Sequence, residues 1–533
     1  MKGFRQPPGG LQQAERDFRR AFELQSAGRE TEAEVIFVQI LRKCPSHFGS
    51  LYSLGILRFQ QGRPGESLVF FRKAIAGNPG SHDAHHAFGN ALQALARHEE
   101  AIQRYQCALA LRHHNPHVYN NLGNSYQALG RMQEAEASFR QAIALAPHLD
   151  VTHNNLGNVL LELGQPYEAL AAYEAALALN PGLGALHANL GKSLVALNRH
   201  EEAVDSFVHA LELDDVPQSR LNLALTRLAL GDYPAGWRDY EARWNAPHYS
   251  KPRAYPQPLW NGRAELSAKT ILLYFEQGLG DTIQFARYVP LVAQTGARVM
   301  LQVQKPLLKL FGSLAGPSVL LPEGDPLPDF DFHAPLLSLP LAFQTTLENI
   351  PAKVPYLHAA PVVPSRVPST SPSIGLCWAG SPDNPTDRDR SIPLSTIAPL
   401  LEIAGVHFVS LQKVLRPGDE EILARYGNVD VDSIRNVTDF ADTAALVAGL
   451  DLLIAVDTSM AHLAGALARP VWVLLKYSAH WAWLREREDS PWYPTARLFR
   501  QPQPGDWQTV IAKVRDALHA SISQPRLPQL ENC

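Results

Sequence analysis

Glycine recurs at Gly55, Gly89, Gly123, Gly157 and Gly191, a step of 34 residues taken four times. Alanine keeps the same step at Ala101, Ala135, Ala169 and Ala203, and proline returns at Pro45, Pro79, Pro147 and Pro181. A fixed step of this length forces a stack of like units, because one short unit buries its apolar face only against the next copy. Between the landmarks the apolar residues follow helical spacing, as in "VYNNLGNSYQALGRMQEAEASFRQAIALAP". Gly and Ala mark where two helices approach closely. The Pro stops the second helix of each unit, since it has no N–H to give the helix.

Composition narrows the rest. A chain of 533 residues is too long for one core. A net charge of −4 implies neither a nucleic-acid nor an anionic-membrane surface. The beginning, "MKGFRQPPGGLQQAERDF", has no apolar run and so is not expected to be a signal peptide. No unbroken stretch of about 18 apolar residues is present to span a bilayer. Cys44, Cys107, Cys377 and Cys533 are scattered without metal-ligand spacing. Cys107 in a repeat helix and Cys377 in an apolar strand read as core positions. The expectation is a soluble, reduced, cytoplasmic protein with no metal and no cofactor.

The period of 34, with Gly in the first helix, Ala in the second and Pro at the close, resembles the tetratricopeptide repeat. The likeness covers roughly residues 10 to 245. It implies an all-α solenoid that binds a peptide or protein. Asn121, Asn155 and Asn189 share one register, and Asn90, Asn124 and Asn158 a second, one residue after the repeat glycine. An Asn amide both donates and accepts, so it can pair with a peptide backbone whatever the side chain. The first register resembles the asparagine ladder that holds acceptor polypeptides in the repeat domain of O-GlcNAc transferases. Asn121, Asn155 and Asn189 are therefore the candidate peptide-binding residues.

The register slips by about one residue in "DDVPQSRLNLALTRLALGDYPAGWRDYEARW", an atypical unit of the kind that caps an array. A segment rich in Pro and aromatics follows, "NAPHYSKPRAYPQPLWNGRAEL". From Lys269 onward, apolar runs such as "KTILLYF", "ARVMLQV", "SIGLCWA", "VHFVSLQ", "DLLIAV" and "PVWVLL" alternate with amphipathic stretches. Continuous apolarity suits buried parallel strands, and the alternation suits a doubly wound α/β region. A Pro- and Ser-rich stretch at 358 to 373 divides it into two halves. The expected organisation is repeats over 1–245, a linker over 246–268, a first α/β half over 269–365, a second over 366–525, and a flexible tail over 526–533. By analogy of pattern, two such Rossmann-like halves facing a cleft form the GT-B architecture.

Three segments carry candidate chemistry. In "YFEQGLGDTIQFARYVP", Gly278 and Gly280 let a loop turn sharply between strand and helix, and Asp281 sits where the helix begins. An Asp there also serves as a plain N-cap. In "IAVDTSMAHLAGALARPVWVLL", Asp457, Thr458 and Ser459 lie at a strand end and His462 one turn into the helix. A helix N-terminus offers free N–H groups and a positive dipole end to a phosphate. In "WAGSPDNPTDRDRSIPL", Arg388 and Arg390 stand in a polar loop, and Arg is the natural fork for phosphate oxygens.

These three segments, in this order, resemble the heptosyltransferase-like glycosyltransferases over about residues 268 to 525. That family carries a glycine loop ending in Asp, matched by "GLGDTIQFARYVP", and a D-T-x-x-x-H-L segment, matched by Asp457, Thr458, His462 and Leu463. The resemblance implies an inverting, metal-free transfer from a nucleotide-sugar donor. Asp281 would be the general base, within hydrogen-bond reach of the acceptor hydroxyl. Arg390 stands where the family usually has Lys, and with Arg388, Thr458, Ser459 and His462 would meet the donor diphosphate. Asp457 would lie at the donor sugar or order its loop, and Gly278 and Gly280 would admit the ligand. Combined with the repeats, this reads as a glycosyltransferase acting on a protein acceptor. The rival readings are a scaffold with an inactive transferase-like domain, and an enzyme of glycolipid or lipopolysaccharide assembly.

Two further motifs are set aside. "DFDFH", with Asp329, Asp331 and His333, reads as strand and loop rather than a metal site, and "HHNPH" near residue 113 as a repeat turn. Trp481, Trp483, Trp492 and Tyr493 are expected either to pack the C-terminal segment on the sheet or to wall a pocket.

Overall fold

The computed structural model describes residues 8–247, 249, 251–360, 371–382 and 387–523, without the side chains of residues 8–10, 388, 389 and 523. It divides into two compact units, one up to Ser193 and one from Leu194 onward.

The first unit is a succession of helical hairpins, beginning with Pro8–Ser26 and Glu30–Lys43 and continuing through Pro116–Ala128 with Met132–Leu145 and Asp150–Glu162 with Pro166–Leu179. The periodic glycines have a specific purpose. A Cβ built on Gly89 would lie 2.5 Å from the Tyr105 ring, and one on Gly157 would lie 2.6 Å from Tyr173. Each ring, 16 positions further on, lies flat against bare backbone and is fully buried. The turn inside each hairpin needs a left-handed residue. Gly28, Gly62, Gly130 and Gly164 supply it with φ of 73° or 74°. Ala96 and Asn198 hold the same register position at φ 57° and 59°, and the slipped register places the last such turn at Gly231, φ 84°. Cys107 is exposed, which corrects its expected place in the core, while Cys44 and Cys377 are buried.

The second unit opens with the last repeat helices, His200–Leu213, Pro217–Leu230 and Tyr233–Tyr240, followed by a 3-10 turn at Glu241–Asn245. Two parallel sheets follow. The first contains β1 (Thr270–Tyr274), β2 (Arg298–Val303), β3 (Pro317–Pro322) and β4 (Phe332–Pro335), in the order β3-β2-β1-β4. The second contains β5 (Ser373–Cys377), β6 (His407–Ser410), β7 (Val429–Asp430), β8 (Leu452–Val456), β9 (Val471–Leu475) and β10 (Ala496–Arg500), in the order β10-β9-β8-β5-β6-β7. The apolar runs read as strands are strands. β3, β7 and β10 have no clear apolar signal: β3 is mostly half-buried, β7 has two residues, and β10 carries Arg at two of its five positions. The aromatic segment after the repeats is held to the first sheet, with the Trp260 N–H donating to the His333 carbonyl at 2.8 Å.

One continuous core joins these parts. Leu228, Tyr233, Trp237 and Tyr240 of the last repeat share it with Ile271, Phe285, Leu453 and Trp492. The Trp237 ring meets Trp481 edge-on at 5.2 Å and Phe285 at 6.0 Å. Burial of so many large rings is the dominant stabilising term here. The four C-terminal aromatics are thus core: Trp481, Trp483, Trp492 and Tyr493 are each at most 4% exposed. Among the described residues, no helix is long and apolar enough to cross a membrane.

Candidate functional site

In each sheet the strand order reverses beside the first strand of that half, between β1 and β4 and between β5 and β8. Ligands of doubly wound sheets sit beyond the carboxyl ends of strands at such points. The glycine loop follows β1, the Arg390 segment follows β5, and Asp457 to Ser459 follow β8. Topology therefore puts all three sequence motifs at the expected edge.

The motifs also meet in space. A Cβ on Gly280 would lie 3.0 Å from His462 Cδ2 and 3.4 Å from Ser459 Cα. A side chain at 280 would press on the His462 ring and on the start of the Ser459–Ala466 helix. Arg390 donates from Nη1 to the Asp457 carbonyl at 3.1 Å, which bridges the β5 and β8 loops. Its Nε is held by Asp387 Oδ1 at 3.3 Å. Asp387 is buried and is also gripped by Arg416 and by the Ser391 hydroxyl at 2.9 Å. Arg390 is thereby fixed in direction while remaining a quarter exposed. The side chain of Arg388 lies outside the described residues.

Asp281 is not the residue preceding the helix. Gly278 is the N-cap of the Leu279–Phe285 helix, and Asp281 stands one turn in. Its Oδ2 accepts from the Gly278 N–H at 3.1 Å, which closes the loop on itself. Burial pushes its carboxyl above the usual Asp range, and the Asp457 charge pushes the same way, while His480 and the Gly278 bond oppose. Such a group takes a proton more readily than an exposed Asp does.

The Ser459–Ala466 helix begins without a side-chain cap. Thr458 is its N-cap, yet the Thr458 side chain makes no capping bond. Its hydroxyl faces the Cys377 thiol instead, at 3.9 Å. The Ala461 N–H donates to the Thr458 carbonyl at 3.0 Å, and the positive end of the helix lies at Ser459 and Met460. His462 is buried, with Nδ1 3.0 Å from the Tyr493 hydroxyl, Nε2 4.0 Å from Asp457 Oδ1 and its ring stacked on Trp483. Desolvation lowers its pKa to about 4, so the imidazole is neutral near pH 7.

Sequence reading passed over two basic groups here. His480, exposed at the start of the turn Trp481–Trp483, acts electrostatically on both Asp281 and His462. Arg500 donates to the Leu484 carbonyl at 2.8 Å, and burial brings it down to about 10 despite the Asp457 charge. Neither stands near a recognisable motif, and only the fold brings them to the β8 end. Among the described residues, no group of three or more His, Cys, Asp or Glu is arranged to hold a metal. Asp331 instead accepts from the Thr270 N–H at 2.8 Å, so it ties β1 to the strand beside it.

In the repeat unit, the candidate asparagines bond to asparagines of the preceding hairpin, Asn121 and Asn155 to the second register and Asn189 to Asn154. Asn121 Nδ2 donates to Asn90 at 2.9 Å, Asn155 to Asn124 at 3.0 Å and to Asn120 at 3.2 Å, and Asn189 to Asn154 at 2.8 Å. Both N–H donors of Asn155 are thus taken within the array.

Comparison with known proteins bears on the repeats. Residues 116–181 and 148–215 match the tetratricopeptide repeat family, and residues 89–130 match a second tetratricopeptide model. The N-terminal region is therefore a tetratricopeptide array. Protein FlbA of Caulobacter vibrioides is 28% identical over 338 residues, covering 57% of this chain and 55% of FlbA. The chain thus spans about half the length of that curated relative. Among solved structures, PilF of Pseudomonas aeruginosa is similar at 23% identity and a TM-score of 0.34, covering 38% of this chain and 92% of PilF. YrrB, described as a tetratricopeptide protein with an unusual peptide-binding site, is similar at 18% identity and a TM-score of 0.32, covering 34% of this chain and 94% of YrrB.

Proposed function

We propose that this chain is an inverting glycosyltransferase whose repeats recruit a polypeptide acceptor. The observation that carries the reading is the close approach of the Gly280 backbone to the start of the Ser459–Ala466 helix, where a Cβ on Gly280 would lie only 3.0 Å from His462 and 3.4 Å from Ser459, so that the loop carrying Asp281 meets a helix N-terminus without a side-chain cap. In the reaction, Asp281 takes the proton from an acceptor hydroxyl. That oxygen bonds to the anomeric carbon from the face opposite the diphosphate. The bond from carbon to phosphate oxygen breaks, and the nucleoside diphosphate leaves with its electron pair. Its charge is met by the N–H groups at Ser459 and by Arg390, whose direction Asp387 and the Asp457 carbonyl fix. A neutral His462 adds a hydrogen bond there without competing for the proton.

The repeats supply the acceptor's place. With its donors taken by neighbouring repeats, Asn155 offers a bound peptide its carbonyl oxygen, which accepts a backbone N–H group, while the oxygens of Asn121 and Asn189 already accept from Asn120 and Lys192. The cytoplasm, where nucleotide sugars are made, is the compartment this reading requires.

The test is thermal stability of the whole chain against ADP, GDP, UDP and CMP and their sugars. A ligand at 100 times its Kd stabilises by about 2.7 kcal/mol. One nucleotide should raise Tm, and Arg390→Ala should abolish the rise. No rise with any nucleotide, and no sugar consumed, would leave a protein-binding scaffold as the function.

A further inference from the structure

The sheet region and the last repeat meet at a buried charge. Arg243, in the turn that ends the repeat array, is 1% exposed. Its Nε donates to Glu276 Oε1 at 2.7 Å and its Nη2 to Glu276 Oε2 at 3.2 Å, a two-pronged grip. Nη1 donates to Glu241 at 2.7 Å, and Nη2 also to the Ser338 hydroxyl at 2.8 Å. The guanidinium lies over the Tyr240 and Trp244 rings at 4.7 and 4.2 Å. Glu276 and Gln277 immediately precede the glycine loop. Gln277 Nε2 donates to the Tyr240 hydroxyl at 2.9 Å, so the same helical turn holds two successive residues of the approach to Gly278. From the other side, Gln304 Nε2 donates to the Gln277 carbonyl at 2.9 Å and its Oε1 accepts from Thr282 at 2.9 Å.

A buried ion pair of this kind is a poor source of stability, because desolvating both charges offsets most of their attraction. What it does well is fix geometry, since an Arg fork admits one arrangement of a carboxylate. We infer that Arg243 is a positioning residue: acting through Glu276, it sets the path of the loop that carries Asp281, and so makes the last tetratricopeptide unit a working part of the α/β site rather than a cap alone. The inference rests on the reading of Asp281 as the base only for its effect on turnover. Its effect on the loop stands by itself. Arg243 touches no reacting atom.

The experiment uses the full chain with Arg243→Lys, which keeps the charge and loses the fork, and Tyr240→Phe, which removes only the partner of Gln277. Amide exchange over 275–282 is read against exchange over β8. Arg243→Lys should speed exchange at the loop about 10-fold, and Tyr240→Phe about threefold, with β8 unchanged in both. Where sugar transfer is measurable, kcat should fall about 10- to 100-fold with donor KM within about threefold, the pattern of a misplaced base. Unchanged loop exchange in the folded variants would overturn the inference, as would a fall in Tm with wild-type kcat. If Arg243→Lys does not fold, Tyr240→Phe decides by the same readings. If the wild type transfers no sugar while loop exchange still rises, the glycosyltransferase reading fails and the positioning stands.

Discussion

The repeat unit and the α/β unit solve the problem of close packing at different distances along the chain. In the repeats, Gly157 receives the Tyr173 ring 16 residues away, and each hairpin repeats the arrangement of the one before it. In the second unit, Gly280 receives His462, and Arg390 reaches the Asp457 carbonyl, contacts between segments far apart in sequence. A local solution recurs and is visible as a period. A long-range solution occurs once and shows only as a short motif whose partner lies elsewhere. The difference teaches how each region is built: the period builds a repeated surface, and the single meeting of distant loops builds the candidate site.

The largest effect that sharpens this contrast is on turnover. Asp281→Asn should lower sugar transfer by about 10²- to 10⁴-fold with Tm nearly unchanged, whereas truncating Asn155 to Ala should weaken capture of the acceptor and leave donor hydrolysis alone. Wild-type turnover should rise with pH through the raised Asp281 pKa, since only the ionised carboxylate accepts a proton. A pH–rate profile with no such limb would break the assignment of the base.

Next comes acid stability. His86 in the repeats and His462 in the site are both brought to about 4 by burial. The folded pKa lies below the unfolded one in each case. Their contribution is complete above about pH 6.5 and is lost as pH falls toward 4. For His462 this is on the order of 3 kcal/mol, and less for the half-buried His86. Denaturant titrations at pH 7 and pH 4.5 should show it, with His462→Gln flattening the loss in the second unit and His86→Gln in the first. Equal pH dependence in wild type and both variants would contradict the burial of the two rings.

A Gly157→Ala variant should destabilise the array by about 1–3 kcal/mol, because the new methyl overlaps the Tyr173 ring. Thermal unfolding monitored by helical circular dichroism reads this directly. The smallest effect concerns the hairpin turns. Ala96→Gly should stabilise by a few tenths to about 1 kcal/mol by relieving its left-handed backbone. Asn198→Gly should gain nothing, since Asn198 Nδ2 also donates to the Tyr477 carbonyl at 2.9 Å. A gain at both would erase the distinction between a turn that serves only the repeat and one that is tied to the sheet.

How much was legible follows the same line. The tetratricopeptide array, the apolar strands and the three polar motifs were readable because each is written in consecutive residues. β3, β7 and β10 were not: all three lie at sheet edges, β7 has only two residues, and the buried positions of β10 are interrupted by Arg497. The expected core position of Cys107 failed because a helix in a hairpin stack buries one face, and periodicity alone did not place that residue on it. Trp481, Trp483, Trp492 and Tyr493 left two readings open: Trp481 and Trp492 pack against Tyr233, Trp237 and Phe285, while Trp483 and Tyr493 are buried against His462.

By itself the sequence determined the helical stack, its period and the polar residues at strand ends, because backbone conformation and burial pattern are local properties of the chain. Tertiary structure alone decided that Asp281 is pushed above the usual Asp range, that Thr458 leaves its helix uncapped, and that Arg243 of the last repeat grips the approach to the glycine loop. Each of these depends on what surrounds a group in space. Desolvation, and the direction of a hydrogen bond between distant segments, are not properties of any stretch of residues until the chain has folded around them.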